Sequence, residues 1–464
     1  MDAVTALWSE AGLPPDALGS LRLEGEDPVL PSGFAVGRAA ASAIGAAGLA
    51  AALLWRERTG RMQEVTVPLR DAALEFRSER LLRVGGRPAP ELRDAIAGLY
   101  RARDGWVRVH TNFPHHRRGF LSLLGCAGER GAVGAALARW DALPFEQEAA
   151  ARGLPAAAHR TLDAWDAHPQ ARAVSGLPLV EITRLGDAPR EALPGGGSRP
   201  LSGVRVLDLT RVIAGPVCGR TLAAHGADVL AITAPHLPSM PATVMDCNRG
   251  KLTASLDLRD ESDRARLDAL VREADVFVQG YRPGALARLG YAPERLARLR
   301  PGLVCVSLSA WGRLGPWAGR RGYDSLVQTA GGLNAAEAEA AGSLEPRPLP
   351  AQALDHGTGH LMAFGAMAAL HRRATAGGAW HVQVSLARTA LWLRSLGRIL
   401  GGLGAPEPGE SDAEEAREES PSGFGTLSAI RHAARLAETP ARYERPSMPL
   451  GSHPAAWPPP TPRR

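Results

Sequence analysis

The chain has 464 residues, of which 45% are hydrophobic and 22% charged, and its formal net charge is +6. These values exclude collagen, coiled-coil and wholly disordered chains, and the length predicts two or three domains. Acidic and basic residues are mixed along the chain, so no nucleic-acid partner is indicated.

The four cysteines are widely spaced and the N-terminal sequence lacks the basic start of a secretory signal. Widely spaced cysteines without a CxxC pair argue against a structural zinc site and against a disulfide framework. The most apolar stretch, residues 39–55, is too short and too rich in Ala and Gly for a good membrane span. We therefore expect a cytoplasmic protein that is not bound to a membrane.

Two stretches of the chain repeat each other. Residues 46–78 align without a gap on residues 363–395, and the identities include Ala-Ala-Leu at 51–53 and at 368–370. Each copy predicts a helix of small residues, a glycine turn, a short strand and a second helix. We interpret the match as a duplication rather than as two unrelated buried helices.

The predicted elements divide the chain into segments. After residue 201, apolar strands alternate with helices, which predicts an α/β domain with a doubly wound, mostly parallel sheet. A smaller α+β domain is predicted before it at residues 95–190, where the turn Asp104-Gly105 opens the strand 106–109. The expected segments are an N-terminal extension (1–36), a first partial copy with the small domain (37–190), a linker (191–200), the large domain (201–400), a flexible acidic linker (401–423), a closing segment (424–453) and a disordered tail (454–464).

Two turns of the large domain are candidates for ligand binding. The turn after its first strand, residues 210–216, contains no GxGxxG, so a dinucleotide site is not indicated. The sequence Asn-Arg-Gly-Lys at 248–251 holds the only lysine among 54 basic residues. Adjacent cations at a turn suit a phosphate, although a solvated basic turn has the same pattern.

Asp355 lies at the predicted start of the second small-residue helix and is followed by His-Gly-Thr-Gly. An Asp at this place is commonly an N-cap. The aligned residue of the first copy is Arg38, however, although both helices need capping. The asymmetry favours a chemical role for Asp355.

These spaced motifs resemble the class III coenzyme A transferases, the CaiB/BaiF or formyl-CoA transferase-like family. The resemblance lies in residues 201–216, 226–229, 248–251, 282–290, 322–324 and 355–359. It implies the CoA-transferase family III fold. Residues 37–190 resemble the later half of the family's chain and residues 201–400 its first half, so two fused, permuted half-copies are expected.

The resemblance also implies a reaction and its residues. It makes Asp355, ionised at neutral pH, the nucleophile that moves CoA from an acyl-CoA to a carboxylic acid through aspartyl anhydride and aspartyl-CoA thioester intermediates. The amides of Gly357 and Gly359 are expected to hold the oxyanion. No metal and no permanently bound cofactor are implied, and coenzyme A is a substrate. The expected CoA contacts are Val212, Lys251, Tyr281, Arg288 and Arg321.

Other functions stay open at this point. Racemases of α-methylacyl-CoA share the fold but use a histidine where this chain has Tyr323, although His356 or His360 could replace it. A catalytically impaired CoA-binding protein is the second alternative. His110, His115 and His116 lack a carboxylate partner for a metal site, so a solvated loop is favoured there. Ile213 stands where the formyl-CoA branch has Gln, which argues against a small dicarboxylate such as oxalate as a substrate.

The assembly is a further expectation. Family members are interlocked homodimers, and we expect a homodimer whose interface includes both small-residue helices. The alternative is a compact monomer in which the two repeats pair with each other.

Overall fold

A computed structural model describes residues 2–459 of the chain. The N-terminal part is built around one long helix of small residues. Its helices are Asp2–Glu10, Pro15–Ser20 (3₁₀), Val36–Thr59, Leu69–Glu75 and Ser78–Leu81, and its strands are Leu21–Glu24, Val65–Pro68, Arg83–Val84 and Arg87–Pro88.

The small domain is a three-stranded antiparallel sheet covered by helices. Its strands are Gly98–Arg101, Trp106–Val109 and Ala156–Ala158, and its helices are Pro114–Leu124, Arg130–Leu137 and Ala142–Ala151. The helices Leu162–Asp166 and Pro169–Ser175 then lead back to the large domain.

The large domain is a seven-stranded sheet, which confirms the predicted α/β fold. Six strands are parallel and the edge strand Glu181–Gly186 is antiparallel to its neighbour. The spatial order is Lys251–Ser255, Asp228–Thr233, Arg205–Leu209, Val276–Gln279, Val304–Ser309, Ala379–Ser385 and Glu181–Gly186. The order of the parallel strands reverses between Arg205–Leu209 and Val276–Gln279, and such a reversal is where ligands bind in doubly wound sheets.

Helices connect these strands and continue beyond the sheet. Those of the first half of the domain are Ala214–Ala224, Pro241–Cys247, Glu261–Arg272, Ala285–Arg288 and Pro293–Leu299. Those of the second half are Asp324–Ala330, Leu333–Ala340, Ala353–Ala376, Leu386–Ser395 and the short 3₁₀ helix Gly402–Gly404.

The two long small-residue helices, Val36–Thr59 and Ala353–Ala376, pack against each other inside one chain. By length and composition Val36–Thr59 is able to cross a membrane, but 94% of its most apolar window is buried in the fold. It is therefore a core helix. Within the chain the two helices cover each other, which is the arrangement expected of the alternative compact monomer.

The segment predicted as a flexible acidic linker is ordered. It contains the helix Glu410–Ala416 and the strand Arg417–Ser420. Arg70 pairs with Asp412 at 2.6 Å and with Glu415 at 3.0 Å. Acidic composition was a misleading sign of flexibility here, because arginines of the first copy neutralise the charges.

The C-terminal segment completes the sheets of the first copy. Leu427–Ile430 pairs with Arg417–Ser420 and with Arg83–Val84, and Arg435–Leu436 pairs with Val65–Pro68.

The first part of the predicted disordered tail is packed on the fold. The indole of Trp457 packs on the large domain and donates to the carbonyl of Leu270 at 3.1 Å. The last part of that predicted tail, residues 460–464, lies outside the described residues.

Candidate active site

Asp355 and Asp324 meet where two helices begin. One carboxylate oxygen of Asp324 accepts the backbone amides of Leu354 at 2.8 Å and of Asp355 at 3.0 Å. These first-turn amides have no partner within their own helix, so Asp324 caps the helix from outside. Asp355 itself is not the N-cap, because Gln352 occupies that position.

The Asp355 carboxyl is 7% exposed. Burial, together with the nearby carboxylates of Asp324 and Glu79, raises its pKa well above the usual value. Burial also raises the pKa of Asp324 to about 6. These surroundings disfavour the ionised form of Asp355, which the sequence analysis expected at neutral pH.

Two cavities meet at Asp355. The larger has a volume of about 330 Å³ and lies at the carboxyl ends of Arg205–Leu209 and Val276–Gln279, where the strand order reverses. One wall belongs to the small domain, which contributes Phe113 and His115. The basic residues that give this cavity its positive charge are Arg211, Arg282, Arg320 and Arg321. Clustered guanidinium groups suit a ligand that carries phosphates.

Four of the residues predicted from the sequence lie together around this larger cavity: Val212, Tyr281, Arg321 and Asp355. Val212 has a φ of 76°, the left-handed region, which is strained for a β-branched side chain. Strain of this kind concentrates at functional sites. The Nε of Arg321 is buried and has no hydrogen-bond partner among residues 2–459, which leaves it for a ligand.

The predicted contact of Lys251 with coenzyme A is wrong. Its ammonium is fully buried and donates to Asp208 at 2.7 Å and to the carbonyl of Pro216 at 2.8 Å. Lys251 therefore joins the sheet to the helix Ala214–Ala224. Arg288 lies on the exposed helix Ala285–Arg288, of which Ala285 and not Arg288 lines the larger cavity.

The predicted oxyanion role of Gly357 and Gly359 is also wrong. Both lie inside the helix Ala353–Ala376, where their amides donate to the carbonyls one turn earlier. Gly359 serves packing: a Cβ there would lie 2.5 Å from the carbonyl oxygen of Ala214. The missing side chain lets the two helices approach and brings Asp355 to the loop of Val212.

Residues from the first copy and the small domain also reach the site. Glu79 bonds His356 at 2.8 Å, and both side chains are fully buried. His110 stacks on Tyr323 with ring centroids 3.7 Å apart. Burial lowers the pKa of His110 to about 3 and raises that of Tyr323 to about 12, so both are neutral near pH 7. In the sequence, only the repeated Arg-Ser directly before Glu79 drew attention to this part of the first copy.

Among residues 2–459 no cluster of three or more metal-ligating side chains has a metal-binding arrangement. His116 belongs instead to an aromatic group with His110, Phe113 and Tyr323. Phe113, His116 and Tyr323 of this group line the larger cavity together with Asp355.

The chain is similar to curated transferases over part of its length. It is 36% identical over 209 residues to the acetyl-coenzyme A transferase nodX of Hypoxylon pulicicidum, covering 44% of this chain and 35% of that protein. It is 32% identical over 244 residues to the probable fatty acyl-CoA transferase Rv3272 of Mycobacterium tuberculosis, covering 49% of this chain and 61% of that protein. The chain thus spans between about a third and three fifths of these relatives.

A solved structure is similar to part of the chain, and a family profile matches most of it. The crystal structure of a CaiB/BaiF family protein from Brucella suis is 27% identical, covers 50% of this chain and 65% of its own, and has a TM-score of 0.40. The profile of CoA-transferase family III matches residues 15–189 and 201–416, most of the chain on both sides of the linker. The chain therefore belongs to CoA-transferase family III.

Proposed function

We propose that the protein transfers coenzyme A from an acyl-CoA to a carboxylic acid, with Asp355 as the nucleophile. The observation that carries the proposal is the position of Asp355, a buried carboxyl at the junction of two cavities. The larger cavity has the positive charge that the phosphates of coenzyme A require. Family membership supports the same reaction.

The reaction uses Asp355 in its ionised form. Its carboxylate attacks the thioester carbonyl, the C–S bond breaks, and CoA thiolate leaves behind an acyl-aspartyl anhydride. The thiolate then attacks the aspartyl carbonyl, which releases the first acid and forms an aspartyl-CoA thioester. The second acid then attacks the aspartyl-CoA thioester to give a new anhydride, and CoA thiolate attacks its acyl carbonyl to give the new acyl-CoA and free Asp355. One thioester is therefore replaced by another.

The helix Ala214–Ala224 is the proposed site for the developing negative oxygen. Its first residue, Ala214, lines the larger cavity. The first-turn amides of a helix lack helical partners, and the helix dipole favours negative charge there. This helix replaces the glycine amides that the sequence indicated.

One chain supplies both sides of the proposed site. The small domain contributes Phe113, the first copy contributes Glu79, and the large domain contributes Asp355. The site therefore needs no second copy, and we propose a monomer in place of a homodimer.

The cellular location is a separate proposal. All four cysteines are free thiols, which supports a cytoplasmic protein.

The alternative functions have weaker support. A racemase needs a proton shuttle, but His356 is held by Glu79, and burial lowers the pKa of His360 to about 3. A catalytically impaired binding protein would not need a free carboxyl between two cavities. At the matching end of the first copy, Asp27 caps the helix and Arg38 is exposed, so that end has no such carboxyl.

Intact-protein mass spectrometry tests the proposal. The protein is mixed with acetyl-CoA, butyryl-CoA or succinyl-CoA and quenched, and a second sample receives hydroxylamine. We expect a CoA adduct that hydroxylamine converts to a hydroxamate at Asp355. Asp355→Ala should give neither product, whereas Arg38→Ala, its counterpart in the repeat, should give both.

The contrary outcomes assign the other functions. CoA binding by calorimetry without any adduct would identify a binding protein. Deuterium exchange at the α-carbon of 2-methylbutyryl-CoA without transfer would identify a racemase.

A further inference from the structure

Arg108 is a buried cation without a carboxylate partner. It is 5% exposed, and no acidic side chain among residues 2–459 forms an ion pair with it. The other buried basic residues of the described chain all form ion pairs with carboxylates: Arg77, Arg160, Arg199, Arg220, Arg249, Lys251 and Arg373. An uncompensated buried charge is costly, so this exception points to an absent anion.

The guanidinium of Arg108 lies on a cavity that it shares with Asp355. It belongs to the strand Trp106–Val109, and its Nε donates to Oγ1 of Thr329 at 3.0 Å. That bond is the one its guanidinium makes with residues 2–459, which leaves both Nη groups for a ligand. Burial and the nearby Arg93 lower the pKa of Arg108 to about 10, so it stays charged at neutral pH.

The shared cavity is the smaller of the two that meet at Asp355. Its volume is about 50 Å³, enough for a few waters or one carboxylate group. Arg80 and Arg93 line it together with Arg108. Its acidic residues are Glu79, Asp324 and Asp355. Glu79 is bonded by His356 and pairs with Arg80 at 3.5 Å, and Asp324 accepts the helix amides. Arg80 is therefore paired, whereas Arg108 forms no ion pair among residues 2–459.

The anchor of Arg108 is separated from the reacting group. Thr329 follows Asp324 by five residues in the helix Asp324–Ala330, which is about 7.5 Å along the axis. Asp324 in turn holds the amide of Asp355. An anion bound by Arg108 would therefore lie in the cavity that Asp355 also lines, on the side of Thr329.

We propose that Arg108 binds a second carboxylate at the far end of the acid, so that the acids exchanged by this protein are short-chain dicarboxylates. The inference rests on the proposed transferase function for the identity of the substrate. The proposed dicarboxylates are longer than oxalate, the small dicarboxylate that Ile213 argues against.

Binding of free acids tests Arg108 independently of catalysis. Calorimetry compares succinate, glutarate and adipate with butyrate, valerate and hexanoate of equal chain length. For at least one pair, the dicarboxylate should bind wild type ten- to hundredfold more tightly, roughly the value of a charged hydrogen bond. Arg108→Gln should lose that preference and Arg108→Lys should keep part of it. Arg101→Gln, which changes an exposed arginine of the neighbouring strand, should keep all of it.

Transfer kinetics with the same acids give the second measurement. The ratio of kcat/KM for the preferred dicarboxylate to that for its monocarboxylate should fall at least tenfold in Arg108→Gln. Equal binding of every pair by wild type, or an unchanged preference in Arg108→Gln, would overturn the inference.

Two further measurements distinguish this inference from a role of Arg108 in coenzyme A binding and from failure of the proposed transferase function. Arg108→Gln should bind coenzyme A as wild type does. A loss of coenzyme A affinity with the acid preference intact would assign Arg108 to a CoA phosphate and overturn the proposal. Selective dicarboxylate binding without transfer from any acyl-CoA would contradict the transferase function and leave the anion site established.

Discussion

Asp324 holds the backbone amide of Asp355 at 3.0 Å, and the same carboxylate raises the pKa of the Asp355 side chain. One residue therefore does two things to its neighbour: it fixes the start of the helix and it disfavours the ionised nucleophile. The two effects are separable, because an amide oxygen also accepts hydrogen bonds but carries no charge.

Replacing Asp324 by Asn should shift the pH dependence of transfer. Asp355 must lose its proton to attack, so kcat/KM rises with pH as this carboxyl ionises. Removing the charge of Asp324 lowers the pKa of Asp355, and the rising limb should move to lower pH. The measurement is kcat/KM for acyl-CoA between pH 4.5 and 8.5. Asp324→Ala serves as the comparison, because it leaves two buried amides unpaired at a cost of about 1–3 kcal/mol each. An unmoved limb in Asp324→Asn would contradict the coupling.

Asp355→Asn should stabilise the fold at neutral pH. A carboxyl with a raised pKa in the fold binds its proton more tightly there than in the unfolded chain. Its contribution to stability therefore becomes less favourable as pH rises from the unfolded pKa of about 3.9 to the folded pKa, by about 1.4 kcal/mol per pKa unit. The Tm gain of the variant should be small near pH 4 and should grow toward pH 8 in thermal melts. A gain that does not vary with pH would show that charge is not its cause.

Gly357 and Gly359 should respond in opposite ways to substitution by Ala. At Gly357 an added Cβ meets Thr389 at 3.4 Å, an ordinary contact, so the better helix propensity of Ala adds about 1 kcal/mol of stability. At Gly359 the Cβ would lie 2.5 Å from the Ala214 carbonyl oxygen, so the helices must separate at a cost of about 1–3 kcal/mol. Denaturant unfolding measures both variants. Equal effects would argue against the close approach.

Lys251→Met should destabilise the protein without weakening binding of acyl-CoA. The substitution leaves Asp208 buried without its partner, which costs about 3–5 kcal/mol. The double variant Asp208→Asn with Lys251→Met should recover much of the loss. Unfolding experiments give the stabilities, and calorimetry on the folded fraction gives the affinity. A weaker CoA affinity with normal stability would return Lys251 to the binding site.

Light scattering should give one mass of about 49 kDa over a wide concentration range. The two long helices cover each other within the chain, so no large apolar face remains on either for a second copy. The measurement is size-exclusion chromatography from micromolar to a hundred micromolar protein. A mass near twice that value would show that another surface forms the expected homodimer.

The family resemblance, rather than the pattern of strands and helices, supplied Val212 and Tyr281 as expected contacts of coenzyme A. Asp355 had a signal of its own in the sequence, because its counterpart in the repeat is Arg38. The place of Lys251 could not be predicted, because a motif records which residues are adjacent and not which way a side chain points. Lys251 is the first residue of a strand, and it lies on the same face as the buried Thr253. This alternation was the sign that the side chain of Lys251 points into the fold.

Local sequence patterns could not predict which residues the first half of the chain contributes to the site. Glu79 and Arg108 reach the site from positions more than two hundred residues before Asp355, and neither carries a motif. The acidic segment was judged from its own composition, whereas its order depends on Arg70, which lies in another part of the sequence. Such long-range compensation of charge is a property of the packed molecule.

The packing of two repeat helices within one chain changes what a single mutation can do. In a symmetric dimer each residue occurs on both sides of the axis, so every substitution alters two places at once. Here positions 38 and 355 are encoded separately, and one end of the helix pair has arginine where the other has aspartate. Each end of the helix pair can therefore acquire substitutions independently. One end can be optimised for the stability of the fold and the other for binding a particular acid.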